Sequence, residues 1–438
     1  MIAPARLAAF DTLLQIDAGR IDLGGAMARA RRTLDDERDR ALALEMVNGT
    51  LRMRGAIDFQ LASRLTRPLD KLDAAVLMVL RMSGYQLMYS SRLPAAAIIN
   101  DAVDLTRRAG TTSAAGLVNA VLRKLARDRP SLVWPDRPSV VVTPDDRQRL
   151  VTALATIHSH PEWLVSRWVE RYGVDAAERW LEFNNRPAAV CLAANGLRLT
   201  RAALAEELTS DGVETVPTAR ASLGLVVTSG QALATRAFRE GRCLAQDEAS
   251  QLIAELVSAS PGARVLDLCA SPGGKTVALA GRVRPGGRVV ACDVRPHRLR
   301  VLASTLSRCM VSNTSVVRIP ESGALPFREG GFDAVLIDAP CSGLGILRRD
   351  PDIRWRRTPA DLPRLAAAQR RLLARAAPLV KAGGTLTYST CSSEPEENDE
   401  VVSTFLSTHP GFVVARRHET LPFRDGLEAF FAAVLRSV

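Results

Sequence analysis

The chain has 438 residues, 47% of them hydrophobic and 24% charged, enough apolar material for two or three cores; disorder, a collagen-like repeat and a miniature disulfide scaffold are excluded. No run approaches the roughly 18 apolar residues of a membrane span, and residues 1–10 lack the layout of a secretory signal, so a cytoplasmic protein without membrane contact is expected. The net charge of +11 favours a polyanionic partner such as RNA, but only four of 58 basic residues are lysine, an arginine-rich bias that a GC-rich coding sequence also produces, so charge alone leaves the partner open.

In chain order, residues 1–130 read as amphipathic helices, with Leu72, Val76, Val79 and Leu80, then Ile98, Ala102 and Leu105, then Leu117, Val118, Val121, Leu122 and Leu125 at helical spacing. Residues 1–140 hold 21 basic and 15 acidic side chains, about half of the excess charge, which suits an RNA-facing bundle or a solvated helix surface. Pro130, Pro135, Pro138 and Pro144 mark a linker over 131–145, because proline lacks the amide donor that a helix needs. Residues 146–242 mix a helix over 163–183 with short strands at 188–193 and 224–228, a small α+β subdomain. His158 and His160 precede that helix without a third ligand nearby, so an exposed or capping role is expected and no metal.

From 243 to 438 the pattern changes to strand-length apolar runs at 264–268, 288–292, 314–319, 332–337, 384–389 and 412–415, separated by helical segments near 275–281, 297–310, 362–380 and 396–408. Such alternation predicts an α/β Rossmann-like domain with a parallel, doubly wound sheet, whose ligands lie beyond the carboxyl ends of its strands.

The loop after the first of those strands reads Cys269-Ala270-Ser271-Pro272-Gly273-Gly274-Lys275-Thr276. Paired glycines before a helix let the backbone approach a ligand. A phosphate-binding loop would need glycine at Cys269, and a dinucleotide fingerprint would need a leading G-x-G, so neither applies. The second strand runs into Asp293, a carboxylate placed to accept two ribose hydroxyls. An adenosine cofactor without a pyrophosphate, S-adenosylmethionine, fits both features. Two further strand tips carry Asp338-Ala339-Pro340-Cys341-Ser342-Gly343 and Tyr388-Ser389-Thr390-Cys391-Ser392. A lone cysteine usually packs as a small hydrophobe, the reading kept for the Cys269, Cys292 and Cys309 thiols; two at such loops beside a carboxylate point to chemistry. The seven cysteines are odd in number and never in C-x-x-C spacing, so reduced thiols are expected.

These segments, with Arg-Arg-x-Pro-Asp-Ile-x-Trp at 348–355 and Glu396-Glu397-Asn398, resemble in order and spacing the motifs of the Nol1/Nop2/Sun RNA (cytosine-5) methyltransferases. The helical N-terminal region is similar to the NusB-like RNA-binding domain of the family's RsmB (Sun) branch, which modifies small-subunit ribosomal RNA. Residues 246–250 and a terminal strand within 425–438 resemble its flanking elements. The resemblance implies a NusB-like domain over 1–130, an RNA-docking subdomain over 146–242 and a catalytic domain over 243–438. It implies Cys391 as the nucleophile on cytosine carbon 6, Cys341 as the thiol that aids loss of the carbon-5 proton, and Asp338 at the N3/N4 edge of the base as a proton-retaining acid. Residues 269–275, Asp293 and Asp338 would hold S-adenosylmethionine, and Lys275 would hold its loop or lower the pKa of the attacking thiol. DNA cytosine methyltransferases resemble this site but attack with the Pro-Cys thiol; the second cysteine favours RNA.

Three departures stand out. Ser271 takes the place of an alanine, residues 318–323 lack the aspartate usual against the adenine and offer Glu321, and residues 192–195 lack an arginine. The expected function is formation of 5-methylcytosine in 16S ribosomal RNA by a monomer. The alternatives are a weakly catalytic or non-catalytic assembly factor and a tRNA cytosine-5 methyltransferase.

Overall fold

A computed structural model describes residues 2–26, 34–90 and 93–438. They form two compact units, one of residues 1–186 with 347–356, the other of residues 187–346 with 357–438.

The first unit is all helical, and its helices begin where the sequence supplies caps. The Asp36 and Asp73 side chains accept amide hydrogens at the starts of Glu37–Arg52 and Ala74–Tyr89, and Thr143 with Asp146 forms a capping box ahead of Pro144–Ile157. Most of the spacing read from the sequence is the packed face: Val76, Val79, Leu80, Ile98, Ala102, Leu105, Val118, Val121, Leu122 and Leu125 share one core with Leu13, Met46 and Ile57, Leu72 packs at its margin, and Leu117 is exposed at the edge of the helical stripe instead. The segment expected as one helix over 163–183 is two, Glu162–Tyr172 and Val174–Asn185, broken at Gly173 with φ 82°. The break lets Trp168 and Trp180 stack at 4.1 Å. His158 caps Pro144–Ile157 as expected, but His160 is buried, with Nδ1 2.7 Å from the His158 carbonyl oxygen.

Residues 347–356 belong to this unit although the chain on either side of them belongs to the other. Their anchor is Arg354, fully buried, whose Nη1 donates to the carbonyl oxygen of Ser159 at 2.9 Å and to Asn185 Oδ1 at 3.0 Å. The Trp355 indole donates to the Leu51 carbonyl oxygen at 2.6 Å. The motif around 348–355 is thus a packed strap of turns that ends in the one-turn helix Ile353–Arg356.

The second unit holds two sheets. The smaller is antiparallel, in the order β2-β3-β1-β4, from β1 (Cys191–Ala194), β2 (Glu214–Pro217), β3 (Gly224–Ser229) and β4 (Cys243–Ala245). The larger has seven strands, β5 (Arg264–Asp267), β6 (Arg288–Asp293), β7 (Thr314–Arg318), β8 (Phe332–Asp338), β9 (Val380–Thr390), β10 (Phe412–Thr420) and β11 (Phe430–Ser437), in the order β10-β11-β9-β8-β5-β6-β7. β7, β6, β5, β8 and β9 run parallel, as the alternation predicts, while β11 is antiparallel to both β9 and β10. The expected parallel sheet therefore ends in an antiparallel pair, because the connection over 421–429, with its one-turn helix Pro422–Asp425, is too short for a crossover and returns β11 beside β10. Strand order reverses between β5 and β8, where a doubly wound sheet opens a crevice at its carboxyl edge.

Candidate active site

The glycine-rich turn lies at that edge. Gly273 adopts φ 112° and caps the helix Gly274–Arg282, aiming that helix's free amides at the space beyond β5. The Ala270 amide donates to the Cys292 carbonyl oxygen at 2.9 Å and ties the turn to β6. Ser271 Oγ donates to the carbonyl oxygen of Arg298 at 3.1 Å, so the serine that replaces alanine adds a tie to the helix Pro296–Arg308. Pro272 follows a cis bond and is exposed. Asp267, at the end of β5, accepts from Thr276 Oγ1 at 2.7 Å, and burial pushes its pKa up to about 7. Burial, then the charges of Asp267, Asp338 and Asp293, hold the Cys269 thiol well above its ordinary value; burial also raises Cys292 and Cys309. These three remain protonated thiols, as the sequence suggested.

Asp293 is buried at the tip of β6 and accepts from the Arg295 amide at 3.0 Å. Beside it opens a cavity of about 310 Å³ lined by Val294, Arg295, Pro296, Arg318, Ile319, Pro320 and Glu321. Its loop is held by Arg375, which donates to the carbonyl oxygens of Gly323 at 2.7 Å, Pro320 at 2.8 Å and Glu321 at 3.0 Å. Sequence reasoning missed Arg375, since it lies more than fifty residues away on a helix of many arginines.

Lys275 adopts neither expected role alone. Its Nζ lies 2.6 Å from Asp338 Oδ2 and 2.9 Å from Ser250 Oγ. Ser389 Oγ donates to the other oxygen of Asp338 at 3.0 Å. Asp338 thus accepts from an ammonium on one oxygen and from a hydroxyl on the other.

The two thiols meet. β8 and β9 pair in parallel with Asp338 opposite Ser389, and the loops that follow bring the Cys341 and Cys391 sulfurs to 3.3 Å. The hydrogen bond with Cys391, and then burial, hold the Cys341 thiol well above its ordinary value. Gly345 allows the approach: its amide donates to the Cys391 carbonyl oxygen at 3.0 Å, and a Cβ there would stand 2.0 Å from the carbonyl oxygen of Ala429. Under the thiols lies Glu397, fully buried, which accepts from Ser342 N at 2.8 Å, Ser342 Oγ at 2.5 Å, Ser392 Oγ at 2.6 Å and Gln369 Nε2 at 3.0 Å.

Asn195, in the stretch that lacks the arginine, is buried and donates to the carbonyl oxygens of Gly241 at 2.8 Å and Cys309 at 2.9 Å. It braces the backbone and faces no solvent. Among the described residues no group of three His, Cys, Asp or Glu side chains could hold a metal ion, and no helix is long and apolar enough to cross a membrane.

Comparison with known proteins gives the family of the chain. The 16S rRNA methyltransferase RsmB/F family matches residues 254–436, the NusB family residues 3–127, and the RsmF/B-like ferredoxin-like domain residues 160–234. The probable ribosomal RNA small subunit methyltransferase B of Bacillus subtilis is 35% identical over 91% of each chain. The ribosomal RNA small subunit methyltransferase B of Pseudomonas putida is 33% identical over 93% of this chain and 89% of its own. Among solved structures, PH0851 shares the fold over 99% of both chains with a TM-score of 0.83 and 24% identity. A methyltransferase homologue from Pyrococcus horikoshii, 26% identical, has a TM-score of 0.58 and covers 68% of this chain and all of its own. The chain belongs to the RsmB/F family of S-adenosylmethionine-dependent methyltransferases.

Proposed function

We propose that the protein forms 5-methylcytosine in 16S ribosomal RNA through a covalent bond between Cys391 and carbon 6 of the target base. The observation that carries this reading is the pair of sulfurs 3.3 Å apart at the tips of two adjacent parallel strands, beside Asp338. Carbon 5 of cytosine is a poor nucleophile. Addition of the Cys391 thiolate to carbon 6 moves an electron pair to carbon 5, which splits one hard step into easier ones. S-adenosylmethionine, when bound, supplies an electrophilic methyl group. Loss of the carbon-5 proton and departure of Cys391 as a thiolate then restore the aromatic ring.

In this reading Cys341, in its thiolate form, takes the carbon-5 proton; a thiol that ionises above its ordinary pKa is the stronger base once ionised. Asp338 holds the N3/N4 edge of the base, and the Lys275 ammonium 2.6 Å from its Oδ2 offsets the negative charge that spreads to N3 when the thiolate adds to carbon 6. The backbone of residues 269–274, with Lys275 bracing Asp338, cradles the methionine part of the cofactor. Asp293 accepts from the ribose, and the cavity with Glu321 takes the adenine, a fit supported by its position beside β6. The base must leave its stack to reach the thiols, so an unpaired rRNA segment is the substrate.

The names of the relatives and the NusB-like region favour ribosomal RNA over tRNA. The intact thiol pair favours catalysis over a binding-only assembly factor. The seven free thiols suit the reducing cytoplasm. Cofactor turn and thiol pair come from one chain, so a monomer suffices. The test is transfer of labelled methyl from S-adenosylmethionine to deproteinised 16S rRNA lacking this modification, followed by bisulfite mapping. Label at a single bisulfite-resistant cytosine is expected; label at another base or atom would overturn the assignment.

A further inference from the structure

Glu397 deserves a role beyond packing. A buried carboxylate is costly unless donors satisfy it, and every donor here is uncharged. Two of its donors are not arbitrary. Ser342 follows Cys341 in the chain and Ser392 follows Cys391. One carboxylate therefore grips the residue next to each thiol, with Ser342 Oγ and Ser392 Oγ themselves 3.1 Å apart. Gln369 completes the set, since its Nε2 also donates to the Pro340 carbonyl oxygen at 3.0 Å and so ties the start of the Cys341 loop to the same carboxylate. The backbone is held as well: the Tyr388 hydroxyl donates to the Glu397 carbonyl oxygen at 2.6 Å, so β9 fixes the staple from below.

We propose that Glu397 is the positioning residue of the thiol pair, stapling the loops after β8 and β9 so that the Cys341 and Cys391 sulfurs stay in contact through the reaction. This rests on the reading that Cys391 attacks and Cys341 serves release. The role is geometric, because this one carboxylate bonds the residue after each cysteine.

The staple can be tested without RNA or cofactor. Diamide takes two hydrogens from a pair of neighbouring thiols, joining the sulfurs as a disulfide while it is itself reduced to the hydrazine, and the rate reads how often the sulfurs meet. In the full-length protein, Glu397→Ala is expected to close the Cys341–Cys391 disulfide about tenfold more slowly and to lower kcat for methyl transfer about 100-fold, as a displacement of about 1 Å does to a reacting pair. Affinity for S-adenosylmethionine and the KM for RNA should stay at wild-type values, which a general loss of structure would not allow. Glu397→Gln keeps an acceptor for Ser342 N and Gln369 and can donate to the two hydroxyls, so it should restore closure to within about threefold of wild type. Ser392→Ala, a milder change that removes one donor, should slow closure about threefold and decides the matter if Glu397→Ala does not fold. Closure and turnover at wild-type rates in Glu397→Ala, or in Ser392→Ala when the former is unfolded, would overturn the proposal. If the assignment of the thiols is wrong instead, turnover will not follow Cys391, yet disulfide closure will still slow in the Glu397 variant.

Discussion

The Cys341 and Cys391 sulfurs stand 3.3 Å apart although 50 positions separate them in the chain. Parallel pairing of β8 with β9 sets Asp338 opposite Ser389, so each cysteine lies two or three residues beyond a shared register point. The sheet, not either loop alone, creates the pair. Everything else at the carboxyl edge is arranged around it, from the Glu397 staple to the Lys275–Asp338 ion pair on the cofactor side.

That ion pair gives the first prediction. Lys275→Met removes the cation from a part-buried carboxylate and frees Asp338 from the glycine-rich turn. Loss of one preorganised electrostatic partner should lower kcat about 10- to 100-fold, with cofactor affinity changed less than about threefold. Steady-state transfer together with calorimetric cofactor titration measures both. An unchanged kcat would show that Asp338 needs no counter-ion.

Arg375 gives the second. Three carbonyl oxygens of the loop over 320–323 depend on one guanidinium. Arg375→Ala should loosen the wall of the adenine cavity and raise the Kd for S-adenosylmethionine about tenfold, roughly the loss of one to two charged hydrogen bonds discounted for exposure. Glu321→Ala should do the same if its side chain meets the adenine, while its backbone contact to Arg375 persists. Calorimetry on both variants checks this, and wild-type Kd values in both would move the adenine elsewhere.

His160 makes the stability of the first unit depend on pH. Burial, followed by the nearby Arg354 charge, presses its pKa well below 6.5 in the folded chain. The unfolded chain therefore takes up a proton that the folded one refuses, so the stabilisation is present above about pH 6.5 and falls as pH drops below it, by at most about 1.4 kcal/mol per pH unit. Urea unfolding monitored by tryptophan fluorescence at pH 7, 6 and 5 should show that slope, and His160→Gln should flatten it. An equal slope in both proteins would assign the acid sensitivity to other groups.

The sequence made the catalytic edge largely readable because each functional loop follows a strand-length apolar run, and the period of those runs survives without knowledge of pairing. Cys341, Cys391, Asp338, Asp293 and the turn at 269–275 stand out that way as candidates, and the structure sets Cys341 against Cys391 and Asp338 against Ser389. What was missed depends on contacts distant in sequence. β2, Glu-Thr-Val-Pro, holds no apolar run, and β4 is only three residues long. The antiparallel end of the sheet follows from the return of β10 through β11, which composition does not encode. Lys275 could be placed in a turn but not against Asp338, and Glu397 could be named within a motif but not as a link between two loops. His160 was misjudged because burial of a single polar side chain leaves no periodic trace.

The central claim is that Cys391 bonds to the base and Cys341 ends that bond. The most direct measurement mixes wild type, Cys391→Ala and Cys341→Ala with S-adenosylmethionine and end-labelled 16S rRNA fragment, and resolves the products on a denaturing gel. Cys341→Ala should accumulate a protein–RNA adduct that wild type shows only fleetingly, and Cys391→Ala should form neither adduct nor methylated RNA. An adduct in Cys391→Ala, or full turnover without any adduct in Cys341→Ala, would contradict the account.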